Sequence, residues 1–410
     1  HLHIFEAPIL LASYNQALVA IYKLLKNKII AILARWHFFG NPSSRMTVVG
    51  VTGTNGKTTV ATLLYGVFTG LGYKCGLIGT TGNIVAGVES AAKCTTPGAI
   101  ELNKLLNEMA SKGCSHAFIE VSSHAMVESR ISGIKFAGGI FTNLTQDHLD
   151  FHKNMANYFQ AKRKFFERLP ASAFAVSNVD DQYGAQMLLG IKARQFTYGF
   201  TNPADFSQKL ASKLLGDFNS YNVLAVYAMA TLLGEDPCKV KELLKIAEPP
   251  KGRFNCVASS NGITGIVDYA HTPDALANVL KAINRLRKKN QQVILVFGCG
   301  GDRDPIKRPI MGKIGCELSD IAIFTADNPR NEDPVRIIEQ LQSDLTAPLH
   351  DKVRIIPDRR EAIAAAVKLA KAGDYVLLAG KGHETYQEIQ GRKHYFCDSQ
   401  ELKEALGGLT

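Results

Sequence analysis

The stretch Met46–Thr59, MTVVGVTGTNGKTT, holds the residues with the clearest chemistry in the chain. A β-branched run turns through Gly53, Thr54, Asn55 and Gly56 into Lys57, Thr58 and Thr59. Glycines let successive backbone N–H groups turn toward an anion, and the positive end of a following helix strengthens that field. A lysine and a hydroxyl at the mouth can hold terminal phosphates and a magnesium ion. The pattern predicts a cradle for ATP. The longer Walker form needs a glycine five places before Gly56, but Val51 stands there, which leaves the short G-x-x-G-K-T loop.

Glu120 closes an apolar run in IEVSSH, and His148 follows another in TNLTQDHLD. A carboxylate and an imidazole beside a phosphate loop suit a metal. Magnesium prefers oxygen, so Thr58 and Glu120 are its expected ligands beside ATP oxygens, with His148 an unusual but feasible partner. Taken singly, Glu120 and His148 each read more readily as structural than as catalytic. Lys162, in NYFQAKRKFF, lies fifteen residues after Asp147 and on composition alone reads as a solvated lysine. Asn222 in GDFNSYN is consistent with a helix cap.

Such residues need elements to position them. Strand-like apolar runs occur at 47–51, 75–79, 116–121, 138–143, 265–269, 293–298, 321–326 and 375–380, with helix-period stretches between most of them. The alternation predicts an α/β fold with mostly parallel sheets. Most polar clusters (GTNGKT, EVSSH, TNLTQDH, DYAHTPD, GCGGDRD, ADNPR, GKGHE) follow a strand, where ligands of such sheets gather. The sequence AEPPKG at 247–252 reads as a boundary between two sets of elements.

The composition is that of a soluble globular chain: 410 residues, 46% hydrophobic and 20% charged. The net charge of +10 is scattered, without a basic tail or an RNA-reading aromatic signature, so polyphosphate and carboxylate substrates account for it without nucleic acid. Eight cysteines (Cys75, Cys94, Cys114, Cys238, Cys256, Cys299, Cys316 and Cys397) show no C-x-x-C pair, which suits a reducing, cytoplasmic compartment. Residues 9–36 are strongly apolar, but Lys23, Lys26 and Lys28 interrupt them, so they are expected to form packed helix rather than a membrane span.

GTNGKTT, CTTPGA, EVSSHAMVESR, TNLTQDHLDFH with AKRKF downstream, GRF, DYAHTPDAL, FGCGGDRDPIKRP, ADNPRNEDP and GKGHETYQ together resemble the Mur ligases, over about residues 41–400. Within that family the pattern is similar to the branch that adds the third residue of the peptidoglycan stem. The resemblance implies a central P-loop mononucleotide-binding domain at 45–247 and a C-terminal Rossmann-like domain at 248–410 that binds the incoming amino acid. Members begin with a UDP-binding domain carrying an early D-S-R-like strand motif. Residues 1–44 hold neither its length nor its motif, so that domain is expected to be truncated or absent. An additional strand pair that members carry is expected to be missing between Phe206 and Asn219.

The activity implied is an ATP- and Mg2+-dependent amide ligation. UDP-N-acetylmuramoyl-L-alanyl-D-glutamate would be activated as an acyl phosphate and joined to meso-2,6-diaminopimelate by a cytoplasmic monomer. Lys57, Glu120, His148 and Lys162 would be catalytic, with Lys162 carbamylated and holding a second magnesium with Glu120 and His148. Asn222 and Arg253 would contact ATP, although Phe218 replaces a histidine common in that asparagine motif. Thr95, Thr96, Ser122 and Arg130 would contact the muramyl substrate. Glu128 stands where members commonly have glutamine, and a carboxylate there repels an anion unless a base pairs with it. Asp327, Asn328, Pro329 and Arg330 resemble the signature of diaminopimelate-adding members. A guanidinium grips that amino acid's distal carboxylate, whereas it would repel the ammonium of lysine. Arg303, Gly380 and Glu384 would complete this pocket. L-Lysine addition, a folylpolyglutamate-synthase-like reaction and a non-catalytic nucleotide-binding protein are the competing readings.

Overall fold

The computed structural model describes residues 40–407 together with Ile29 and Leu33. The expectations for residues 9–36 and for a truncated UDP-binding domain therefore fall almost wholly outside the described residues. Among the described residues no helix is long and apolar enough to cross a membrane.

The first sheet has eight strands: β1 (Thr47–Thr52), β2 (Cys75–Gly79), β3 (Gly82–Val85), β4 (Val88–Ser90), β5 (His116–Glu120), β6 (Gly138–Phe141), β7 (Phe174–Asn178) and β8 (Arg194–Tyr198). Their order is β4-β3-β2-β5-β1-β6-β7-β8, parallel from β2 to β8 with an antiparallel hairpin at one edge. Continuous apolar runs form these strands because both faces are covered. Val48 and Phe141 pack on one face with Leu106 and Phe165, while Val49, Val51 and Ile140 pack on the other with Leu64 and Val226. Helices Ala99–Ser111 and Met155–Glu167 supply the first layer, and Lys57–Gly70 and Asp217–Leu232 the second.

The second sheet comprises β9 (Asn255–Ala258), β10 (Thr264–Asp268), β11 (Val293–Phe297), β12 (Ile321–Phe324), β13 (Val353–Ile355) and β14 (Tyr375–Ala379), in the order β13-β12-β11-β14-β10-β9. Only β9 runs antiparallel to its neighbour. Along β11 the core alternates, Val293, Leu295 and Phe297 facing one cluster and Ile294 and Val296 the other. The segment between helix Pro237–Ile246 and β9 joins the two sheets, and no strand crosses from one to the other. A separate hairpin, β15 (Tyr386–Ile389) and β16 (Arg392–Tyr395), follows β14.

All eight apolar runs read from the sequence are strands, and the mostly parallel α/β architecture is present. Of the strands not read from the sequence, β7 is mostly buried, whereas two others lacked that signal for a physical reason. β4 and β16 are exposed along their whole length, so no apolar face marks them. Between Phe206 and Asn219 the chain forms a single bridge, Tyr198 to Phe206, and no regular strand.

Beneath the loop after β14 lies an ion pair with both side chains fully buried. Arg359 Nη2 meets Asp398 Oδ2 at 2.6 Å, Arg359 Nε donates to Asp398 Oδ1 at 2.8 Å, and Nη2 also donates to Ala379 O at 3.1 Å. It ties the first residues of helices Arg359–Leu369 and Asp398–Ala405 to the end of β14. Removing one partner strands a buried charge, so Asp398→Ala should lower the unfolding free energy in urea by about 3–5 kcal/mol, and Arg359→Met added to it should recover much of the loss. A shift under about 1 kcal/mol would show the pair to be energetically idle.

Candidate active site

The carboxyl ends of both sheets face one cleft. After β1, Gly53 and Gly56 take φ values of 150° and 86°. A Cβ would lie 1.9 Å from Thr142 Oγ1 at Gly53 and 2.5 Å from Asn222 Oδ1 at Gly56, so no side chain fits at either position. Thr54 N donates to Asn143 O and Asn55 N to Asn143 Oδ1, both at 2.8 Å, which fixes the loop's curve. Thr58 and Thr59 are buried in the first helical turn. Lys57 Nζ donates back to Gly53 O at 2.9 Å and Thr54 O at 2.7 Å, at the loop's centre. Burial lowers its pKa, which the charges of Glu120 and Asp147 partly offset.

Glu120, at the end of β5 beside β1, accepts from Thr58 Oγ1 at 3.0 Å, Thr80 N at 2.8 Å and Thr80 Oγ1 at 3.0 Å. Gly79 leaves room for it, because a Cβ there would lie 2.3 Å from Glu120 Oε1. Among the described residues no three of His, Cys, Asp and Glu gather as a metal site. Magnesium asks for less from protein. With bonds near 2.1 Å in an octahedron, adjacent ligand oxygens lie about 3.0 Å apart. Thr58 Oγ1 and Glu120 Oε2 have that separation, so the pair fits one edge of such a site.

Lys162 is buried on helix Met155–Glu167, and its Nζ donates to Gly53 O at 2.6 Å while lying 4.4 Å from the Tyr158 ring centre. Burial and the neighbouring Lys57 ammonium push its pKa well below the ordinary lysine value, against an opposing pull from Asp147. A neutral amine is therefore favoured, as carbamylation requires. His148 takes a left-handed φ of 55° and points Nε2 at Asp147 Oδ2, 3.3 Å away. Burial lowers its pKa to about 3, so the ring is neutral. Among the described residues no hydrogen bond or ion pair joins His148 or Lys162 directly to Glu120.

The second half of the chain closes the cleft. Arg253 Nη2 donates to Thr58 Oγ1 at 3.1 Å, and its guanidinium lies 4.6 Å from the Tyr269 ring centre. Asn55 Nδ2 donates to Asp274 Oδ2 at 2.9 Å. Asp147, buried in the first half, lies 3.4 Å from Lys307 Nζ and 3.7 Å from His271 Nε2. Burial alone would raise its pKa, but His271, Lys307 and His148 together hold the carboxyl well below the usual range. Asn222 donates to Asn219 Oδ1 at 3.1 Å and abuts Gly56, so it lines the loop rather than capping a helix. Phe218 packs against the second sheet's core, where its ring lies 6.2 Å from that of Phe254.

Thr95, Ser122 and Arg130, expected at the muramyl substrate, lie close to the end of β5. Thr95 Oγ1 lies 3.0 Å from Thr80 Oγ1, and Ser122 Oγ accepts from Ala125 N at 3.2 Å. Thr96 is fully buried, and its hydroxyl donates to Glu120 O at 2.7 Å, which props the strand end. Arg130 pairs with Glu128 at 2.7 Å and donates to Thr96 O at 2.7 Å, which supplies the base that neutralises Glu128.

At the ends of β12 and β14, Asp327, Asn328, Pro329, Arg330, Gly380 and Glu384 come together. Asn328 Nδ2 donates to Glu384 Oε2 at 2.7 Å, and a Cβ on Gly380 would lie 3.1 Å from Asp327 Oδ2. Arg330, at φ 52°, is bridged to β15 through Ile389, donates from Nη1 to Gly301 O at 2.6 Å, and pairs through Nε with Glu388 at 3.2 Å. A Cβ on Gly300 would lie 2.9 Å from Arg330 Nη1 and 3.7 Å from Arg303 Cγ, so both arginines flank one glycine. Sequence reasoning missed Thr80, Asp147, Tyr269, His271, Lys307, Lys381 and Glu388. Asp147 and Lys381 lie inside motifs already recognised, and polar residues at strand ends were the available signal.

A family profile described as the Mur ligase middle domain matches residues 51–230, and one described as the Mur ligase glutamate ligase domain matches 252–382. The chain is 49% identical over 390 residues to the UDP-N-acetylmuramoyl-L-alanyl-D-glutamate--2,6-diaminopimelate ligase of Cytophaga hutchinsonii, covering 91% of this chain and 80% of that protein. It is 48% identical over 384 residues to the protein of the same name from Bacteroides thetaiotaomicron, covering 90% and 80%. A solved structure bearing that enzyme name superposes with a TM-score of 0.59 at 34% identity, over 88% of this chain and 78% of that one. A folylpolyglutamate synthase of Mycobacterium tuberculosis solved with ADP gives 0.70 at 17% identity, over 88% and 96%, a likeness of fold alone.

Gly79→Ala tests how closely Glu120 is placed. The added methyl would displace the carboxylate by an amount that costs about 100-fold in turnover, and the magnesium concentration for half-maximal rate should rise. Parent-like turnover in Gly79→Ala would show that Glu120 tolerates displacement.

Proposed function

This chain belongs to the Mur ligase family, and we propose that its site joins meso-2,6-diaminopimelate to UDP-N-acetylmuramoyl-L-alanyl-D-glutamate at the expense of ATP, in peptidoglycan precursor synthesis. The observation that carries this reading is the junction at Thr58, whose hydroxyl donates to Glu120 at 3.0 Å and accepts from Arg253 at 3.1 Å. One phosphate position is thereby reached from both sheets. The domain roles follow: residues 45–247 hold ATP and the muramyl substrate, and residues 248–410 deliver the amino acid.

The chemistry proceeds in two displacements. A γ-carboxylate oxygen of D-glutamate attacks the γ-phosphorus of ATP, the bond to the β-phosphate oxygen breaks, and ADP leaves. The amine of diaminopimelate then attacks the acyl carbon, the carbon–oxygen bond to phosphate breaks, and phosphate and a proton depart. Phosphoryl transfer depends on positive charge and in-line placement more than on covalent help from protein. Lys57 and Arg253 supply that charge from opposite sides. Thr58 and Glu120 would hold Mg2+, which when bound neutralises phosphate oxygens. A carbamylated Lys162 would turn an ammonium into a carboxylate-like ligand, with His148 as a neutral neighbour. Ser122, Thr95 and Arg130 would receive the muramyl substrate. Free cysteines throughout accord with a cytoplasmic setting, and we take the working unit to be a monomer.

For the amino acid, the Nη2 edge of Arg330 offers a fork to the distal carboxylate, Arg303 to the proximal one, and Glu384 an acceptor for the distal ammonium. Release of phosphate from ATP should require both UDP-N-acetylmuramoyl-L-alanyl-D-glutamate and diaminopimelate. Arg330→Ala should lower kcat/KM for diaminopimelate by about 100-fold or more while sparing KM for ATP. Unchanged kinetics would refute the assignment. Mass spectrometry in bicarbonate buffer should find a carbamate on Lys162, and a fully active magnesium-bound enzyme with that lysine unmodified would remove it from the mechanism.

A further inference from the structure

Lys381, the residue after Gly380, is fully buried, although a solitary ammonium removed from water is costly. Its Nζ lies 3.5 Å from Asp327 Oδ1, 3.1 Å from Asn328 Oδ1 and 3.4 Å from Glu384 Oε2. These are three of the four polar side chains that come together at the ends of β12 and β14, the fourth being Arg330. Strand β11 lies between those two strands, and Lys381 spans the gap past Gly298, where a Cβ would lie 2.1 Å from Thr325 O. Among the described residues Lys381 is the ion-pair partner of both Asp327 and Glu384. The other buried cation nearby, Arg359, gives Nε and Nη2 to Asp398 and so cannot replace it.

We propose that Lys381 is a positioning residue for the incoming amino acid, a buried counter-ion that lets two carboxylates share one pocket and aims Asn328 and Glu384 at the diamino acid. The proposal rests on the function given above. Two carboxylates this close favour protonation of one of them, and a protonated Glu384 loses its charge-assisted hold on an ammonium. The groups facing Glu384 are Lys381, Asp327, Asn328 and the Tyr269 hydroxyl at 3.5 Å, with the Arg359 guanidinium behind them acting through charge alone. Burial and Asp327 raise its pKa, and Lys381 opposes them. Without the ammonium that opposition ends, so the uncharged form of Glu384 persists to higher pH.

Lys381→Met keeps the bulk of the side chain and removes the charge. With parent enzyme measured alongside, it should raise KM for diaminopimelate by about 10- to 100-fold and leave KM for ATP and for the muramyl substrate within about twofold. As pH rises the variant's KM should fall while Glu384 re-ionises, over a range displaced upward from that of the parent. If Lys381→Met does not fold, Asp327→Asn combined with it removes one charge of each sign. That variant should fold and, measured against Asp327→Asn alone, should show a further rise in KM confined to diaminopimelate. An unchanged KM for diaminopimelate, equal rises for all three substrates, or a raised KM independent of pH in Lys381→Met would overturn the role. If the parent itself releases no diaminopimelate-dependent phosphate, the proposed function fails and this role fails with it. A working parent with an indifferent variant removes Lys381 alone.

Discussion

Thr58 sits between an anion and a cation that come from different sheets, and its single hydroxyl satisfies both, at 3.0 Å to Glu120 and 3.1 Å to Arg253. Much of the neighbouring architecture serves that junction. Gly53 and Gly56 let the loop pass Thr142 and Asn222 closely enough for the first turn of helix Lys57–Gly70 to begin there. Gly79 clears the space that Glu120 occupies, and Thr80 pins both carboxylate oxygens. The Asn55–Asp274 bond and the Asp147 contacts with His271 and Lys307 hold the second sheet's strand ends over the first.

Charge is distributed in a pattern that suits a triphosphate on one side and a zwitterion on the other. On the nucleotide side the cations Lys57, Arg253 and Lys307 stand with the anions Glu120 and Asp147, and Lys162 is held toward its neutral form by burial. On the amino-acid side Arg330 and Arg303 stand at Gly300, with the acids Asp327 and Glu384 gathered around Lys381. The amino-acid half therefore presents both signs of charge, which suits the diamino diacid proposed as its ligand.

The strands buried on both faces were readable from sequence because a short, unbroken apolar run between turn residues matches a strand covered by helices on either side. The edge strands β4 and β16 were not, since exposed residues such as Lys393 and His394 carry no periodic signal. The turn after β1 was legible down to individual residues, as Gly53 and Gly56 answer to local backbone geometry. Residues whose importance comes from long-range pairing were hidden. Lys381 meets Asp327 across 54 positions of sequence and Lys307 meets Asp147 across 160, distances over which no local pattern extends.

The most direct test of the account is a crystal structure of the protein with ADP, Mg2+ and meso-diaminopimelate. It should show a metal bonded to Thr58 Oγ1 and Glu120 at about 2.1 Å, with the amino acid's distal carboxylate on Arg330. A metal absent from Glu120, or an amino acid bound away from Arg330, would contradict it.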